Sequence, residues 1–168
     1  KKYSELHKGQ RCFILGNGPS RKEFNLEKLQ DEVVFTCNQI SRHSNFHKIK
    51  SNYHFWADPV FFEISENKEE DLELLEVMKK INTTNNKPVC FFPINASSMV
   101  YKYDLDSILN ISYYQSGTTL NNLSSKNVNL SRVLPSMHTV VQYQILTAIY
   151  MGFKEIYLLG IESTGILT

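Results

Sequence analysis

Cysteine is scarce: only Cys12, Cys37 and Cys90 occur in 168 residues, and no two stand in a CxxC spacing. That excludes a disulfide-stapled scaffold or a zinc ribbon. Each lies inside a strand-like apolar run, so all three read as buried free thiols of a reducing compartment. No apolar run approaches the roughly 20 residues of a membrane-spanning helix, and Lys1-Lys2-Tyr3 has no apolar h-region behind it. Charge of one sign is missing as well. Lys and Arg number 18 against 17 Asp and Glu, a net charge of +1, so no broad cationic surface invites nucleic acid or anionic lipid. GxSxG and HExxH are absent, which removes the simplest hydrolase and zinc-protease readings. Sequons at Asn82, Asn95, Asn110, Asn122 and Asn129 are what an Asn-rich chain shows by chance.

What the chain does have is a core: 42% of residues are hydrophobic and 12% aromatic, enough for one domain over 1–168. It has no initiating Met and stops three residues after Gly165, soon after a core-type strand, so the expectation is a domain cut short on its C-terminal side.

RCFILG, 11–16, is a short apolar run ending in glycine and reads as a buried strand. GNGPS follows at once, with Ser20 and Glu23 in the S-x-x-E capping-box spacing before a brief helix carrying Leu26 and Leu29. EVVFTCN, 32–38, is a second strand; 41–51 is polar and basic, a loop or loose helix. NYHFWADP, 52–59, is a third strand closed by Asp58-Pro59, since proline cannot continue the ladder. Residues 66–81 space Leu74, Leu75, Met78 and Ile81 as one helix face, with an acidic first half and a Lys79-Lys80 end that suit the macrodipole. PVCFFP, 88–93, is a fourth strand. Between 95 and 135 only ILNISYY suggests another, and TTLNNLSSKNVNLS reads as a loop. Thr139 to Met151 is a helix ending at Gly152, and EIYLLG, 155–160, is a buried strand.

Buried strands alternating with helices predict an α/β, Rossmann-like domain with a largely parallel sheet flanked by helices. Such sheets bind ligands beyond the carboxyl ends of their strands, where four segments carry unusual chemistry. These are Gly16-Asn17-Gly18-Pro19-Ser20, then Asn38-Gln39, then Asp58, then Gly160 and Glu162. Gly16 and Gly18 allow a tight turn and close backbone approach, and a helix starting at Ser20 aims N–H groups at an anion. Arg21 stands where the dinucleotide motif has its third glycine, and no Walker A lysine is present. Asn17 and Asn38 offer donors and acceptors to a sugar hydroxyl, a phosphate or a base edge, or they simply hold their own loops. Asp58 and Glu162 can accept from ribose hydroxyls or bind a divalent metal, with turn formation the alternative for Asp58. Ser136, His138 and Thr139 precede a helix, where they either cap it or meet a phosphate. Asp104-Leu105-Asp106 spells DxD in a polar context not clearly after a strand, and His43, His47 and His54 share no convincing ligand spacing.

FILGNGPS, CNQ some twenty residues on, a strand ending at Asp58-Pro59, and a helix leading into GFKEIYLLGIE form an ordered set. It resembles the bacterial sialyltransferases of glycosyltransferase family 42 and, more loosely, the MptE-like pterin pyrophosphokinase group. The likeness spans 11–162, although 63–135 matches neither pattern. The sialyltransferase resemblance implies metal-free transfer from a CMP-activated sugar to a glycan acceptor in surface polysaccharide or lipooligosaccharide synthesis. It places Asn17 and Gly18 against donor phosphate and ribose, Asn38 and Gln39 near phosphate or sugar, and Ser136 to Thr139 near cytidine or phosphate. The family's general base is a histidine in a lid past the last residue here; His138 is a local acid–base candidate ranked below a binding role. Asp58 departs from the family's usual Asn. The pterin-kinase resemblance instead implies Mg²⁺ held by Asp58 and Glu162. A non-catalytic nucleotide-binding domain is the third reading. A cytoplasmic protein is expected, with any peripheral association at the inner face of the membrane supplied outside this segment.

Overall fold

The computed structural model describes residues 2–19, 24–43, 46–83, 87–117 and 128–161. Strands β1 (Arg11–Leu15), β2 (Val33–Cys37), β3 (Tyr53–Phe55), β4 (Val89–Pro93), β5 (Asn110–Tyr114) and β8 (Glu155–Leu159) form one sheet in the order β5-β4-β3-β2-β1-β8. Every pairing in it is parallel. The helices are α1 (Glu69–Lys80), α2 (Ser97–Lys102), α3 (Leu105–Ile108) and α4 (Val140–Tyr150). A second, two-residue pairing joins β6 (Ser116–Gly117) to β7 (Leu134–Pro135).

Both faces of the sheet are covered, which is why the inner strands read as near-continuous apolar runs rather than alternating ones. On one face Leu15, Val34 and Trp56 pack against Leu74, Leu75, Val77 and Met78 of α1 and against Val100 and Leu105 of the short helices. On the other, Ile14, Phe35, Phe55 and Phe91 pack against Tyr143, Leu146 and Ala148 of α4, with Tyr3 and Met151. Gly152 closes α4 in the left-handed region at φ 83°, its N–H donating to Ile149 O at 3.0 Å. Cys12, Cys37 and Cys90 are free and buried, and burial pushes the Cys12 and Cys90 thiols up to about 12.

Three expectations are corrected. The helix after β1 is, over its described part, a 3₁₀ turn at Leu26–Leu29 whose Asn25 side chain accepts from the Glu27 N–H; Ser20 and Glu23 lie outside the described residues. The stretch after β4 contains α2 and α3, too short for a helical period to show in sequence. EIYLLG forms an edge rather than a buried strand: β8 has β1 as its one described neighbour, and Tyr157 and Leu158 remain 42% and 48% exposed.

The strand order carries the functional consequence. From β1 the chain steps outward through β2, β3, β4 and β5, then returns over the opposite face through α4 to lay β8 beside β1. That reversal puts the carboxyl ends of the strands and the start of α4 on one rim of the sheet.

Candidate functional site

On this rim lies a cleft of about 440 Å³. Its walls come from the ends of β2 (Asn38), β3 (Ala57, Asp58, Pro59) and β4 (Pro93, Asn95), from Ser116 of β6, and from the entry to α4 (Ser136, Met137, His138, Thr139, Val140, Tyr143).

Asn38 ends β2 in the left-handed region, φ 49°, a conformation asparagine tolerates better than most residues. Its Oδ1 is buried without a hydrogen-bond partner. Asp58 is fixed by its own turn: its carboxylate accepts from the Val60 N–H at 3.2 Å, with Pro59 at the first position of the following 3₁₀ helix. Asp58 thus forms the turn that sequence suggested and also lines the cleft. At α4, Gln142 Oε1 accepts from the main-chain N–H of both His138 (3.0 Å) and Thr139 (3.1 Å), and the Met137 N–H donates to the Tyr143 hydroxyl at 3.0 Å. The approach to the helix is thus braced by its own first turn. The Gln142 N–H donates to Thr139 O at 3.2 Å, so the first-turn N–H groups without an intrahelical acceptor are those of Val140 and Val141, at the positive end of the macrodipole beside the cleft. Among the described lining residues there is no Lys or Arg, and Asp58 is the one carboxylate.

The glycine segment is tied to the neighbouring strands. Gly16 N–H donates to Leu159 O and Gly18 N–H to Gly160 O, both at 2.8 Å. Asn17 Nδ2 donates to Cys37 O at 3.3 Å. These contacts latch the end of β1 to the ends of β8 and β2, and those two N–H groups face protein rather than solvent. Gly16, Asn17, Gly18, Pro19 and Gly160 are not among the cleft's lining residues. Neither is Gln39, whose Oε1 accepts from Arg42 Nε. Ser20 and Glu162 lie outside the described residues.

Beneath Asn38 a buried polar chain ties the sheet to α4. Thr36 Oγ1 lies 2.7 Å from Ser51 Oγ and 2.8 Å from His54 Nδ1, and Gln144 Nε2 donates to Thr36 O at 2.8 Å. Burial lowers the His54 pKa to about 3, with the Asn38 main chain working weakly the other way. His54 is a neutral core histidine, whereas His43 and His47 are exposed. The DxD aspartates are exposed beside α3, where Asp104 at φ 52° accepts from Ser107 Oγ. They do not line the cleft. Among the described residues no group of three or more His, Cys, Asp or Glu could hold a metal ion.

The strand-end argument reaches Asn38 and Asp58, and the helix-entry argument reaches Ser136, His138 and Thr139. It misses Asn95, noted only as a sequon, although Pro93-Ile94-Asn95 ends β4 as Asp58 ends β3. Ser116 and Tyr143 carry no sequence signal of their own.

No family model and no curated protein matches the chain. Among solved structures it is similar to the sialyltransferase CstII from Campylobacter jejuni in complex with the substrate analogue CMP-3FNeuAc, with a TM-score of 0.50 and 20% identity over 94% of this chain and 67% of that one. It is similar also to an alpha-2,3-sialyltransferase from Campylobacter jejuni in apo form, with a TM-score of 0.50 and 22% identity over 94% of this chain and 62% of that one. The chain therefore shares the α/β fold of these sialyltransferase structures, a parallel six-stranded sheet flanked by helices.

Proposed function

We propose that the protein is a sialyltransferase-like glycosyltransferase that transfers a sugar from a CMP-activated donor to a glycan acceptor. The observation that carries this is the convergence of Asn38, Ser136, His138 and Thr139 with the N-terminus of α4 around one cleft. The fold is shared with an enzyme whose structure holds a CMP-sugar analogue.

On this reading the donor phosphate sits at the start of α4, where main-chain N–H groups, the Ser136 and Thr139 hydroxyls and His138 can meet it. As the sugar–phosphate bond breaks, negative charge grows on the departing CMP, and donors already fixed by the Gln142 brace stabilise it without rearranging. Asn38 Oδ1 accepts from a hydroxyl of the ribose or sugar. Rate enhancement then rests on positioning and on leaving-group stabilisation rather than on a metal. The acceptor proton goes to a general base, which the family resemblance gives as a histidine in a lid.

Products would be surface polysaccharide or lipooligosaccharide, built at the cytoplasmic face of the membrane. No helix among the described residues is long and apolar enough to cross it.

Asp58 favours one other reading, the Mg²⁺-dependent pyrophosphokinase acting on a pterin, because a carboxylate in a phosphate cleft is the usual perch for a divalent ion. Incubating the full-length protein with a CMP-linked sugar and a glycan acceptor in EDTA separates the readings. Metal-independent release of CMP with glycan extension supports the transferase. ATP consumption with a pterin, dependent on Mg²⁺, supports the kinase, and binding without turnover a non-catalytic domain.

A further inference from the structure

We propose that His54, which does not line the cleft, is a positioning residue for it: acting through Thr36, it holds Asn38 in place at the cleft wall. The inference rests on the proposed role of the cleft as a nucleotide site.

Thr36 joins the parts. Fully buried in β2, it stands two residues before Asn38. Its carbonyl accepts from Gln144 Nε2 at 2.8 Å, and Gln144 lies one turn beyond Val140 at the start of α4. Its hydroxyl meets Ser51 Oγ at 2.7 Å and His54 Nδ1 at 2.8 Å. Ser51 donates onward to Tyr53 O at 3.2 Å, so the Ser51 oxygen accepts the Thr36 proton and Thr36 Oγ1 accepts from His54 Nδ1–H. Each bond then has one donor and one acceptor, and the end of β2 is tied to β3 and to α4 at once.

The ring itself is held firmly. It is fully buried and packs edge-on, at 5.3 Å, against Trp56, which is buried as completely. Its Nε2 has no hydrogen-bond partner, a desolvation cost that an apolar side chain in this place would avoid. What the imidazole supplies instead is the N–H that keeps the Thr36 hydroxyl in one arrangement. Asn38 needs that support. A non-glycine residue at φ 49° persists only where its surroundings over-determine it. Here Asn17 bonds the strand end at Cys37 O, and Gln144 and His54 bond it at Thr36. Holding the backbone of Asn38 fixes where it presents its unpaired Oδ1 to a ligand.

The test uses three variants of the full chain. His54→Phe keeps a flat ring without the N–H, His54→Asn keeps a side-chain N–H donor near the Nδ1 position, and Thr36→Val removes the hydroxyl. Two properties are measured: the HN–Hα coupling of Asn38 without ligand, which reports its φ, and CMP binding by calorimetry in EDTA at pH 7.5. His54→Phe and Thr36→Val are each expected to change the Asn38 coupling and to weaken CMP binding about tenfold, whereas His54→Asn stays within about threefold of wild type. In an Asn38→Gly background, His54→Phe is expected to weaken CMP binding by less than about threefold further, because the residue it acts through is gone. A lowered melting temperature with the Asn38 coupling and CMP affinity unchanged would make His54 purely structural and overturn the inference. A full tenfold effect in the Asn38→Gly background would overturn it too. Should His54→Phe fail to fold, Thr36→Val carries the same comparison in both backgrounds. Absence of CMP binding to the wild type overturns the nucleotide-site reading, whereas an unmoved Asn38 coupling in the variants overturns the inference alone.

Discussion

The α-carbon of Gly16 faces the main-chain carbonyl of Gly160 so closely that a Cβ added at Gly16 would stand 2.4 Å from that oxygen and 2.8 Å from Ile161 Cγ1. The glycine at the end of β1 is thus required by the neighbouring strand. Gly16→Ala is expected to destabilise the protein by about 1–3 kcal/mol, because backbone on both sides must shift. Thermal unfolding of Gly16→Ala against wild type checks this; an unchanged Tm would mean that the strand ends part freely.

Asn38 separates backbone need from side-chain need. Its φ of 49° suits glycine, whereas alanine there is strained by about 1–2 kcal/mol. Asn38→Gly is expected to keep wild-type stability to within about 1 kcal/mol and lose CMP affinity by about tenfold. Asn38→Ala is expected to lose both. Denaturant melts paired with calorimetry distinguish these patterns.

Gln142 is a positioning residue, bonded to the His138 and Thr139 N–H groups. Gln142→Ala is expected to cost about 1 kcal/mol of stability and to weaken CMP binding, whereas Gln142→Glu, which keeps the acceptor, restores the stability. Melting temperature and CMP Kd measured on both variants provide the check.

His54 makes stability depend on pH. Its folded pKa, about 3, lies below the ordinary 6.5, so the unfolded chain binds the proton more readily. The stabilisation from keeping it neutral is complete above pH 6.5 and declines by roughly 1.4 kcal/mol per pH unit as the pH falls towards 3. His54→Gln is expected to flatten this part of the stability profile, even if its stability at pH 7.5 is lower. Denaturant melts from pH 7.5 to 4 test it; parallel profiles would contradict it.

The parallel sheet was legible because strands buried on both faces, such as VVFTC, are apolar at nearly every position. The same reasoning overreached at EIYLLG, since apolar composition does not say how many neighbours a strand has. The glycine turn was legible as a turn. Its partners were not, because the carbonyls of Leu159 and Gly160 reach Gly16 and Gly18 only once β8 returns beside β1. Asn38, Asp58 and the Ser136 to Thr139 entry were reachable because each ends a strand or starts a helix. Ser116 was not, since it comes to the cleft through a two-residue pairing of β6 with β7 that leaves no periodic trace.

The most direct test follows the main-chain amide resonances of the protein while CMP is added in EDTA. The account predicts the largest shifts at Asn38, Thr139, Val140 and Val141, with smaller changes at Gly16 and Gly18, whose N–H groups donate to β8. Shifts centred on Gly16 to Gly18 with none at the start of α4, or a response only when Mg²⁺ is supplied, would contradict it.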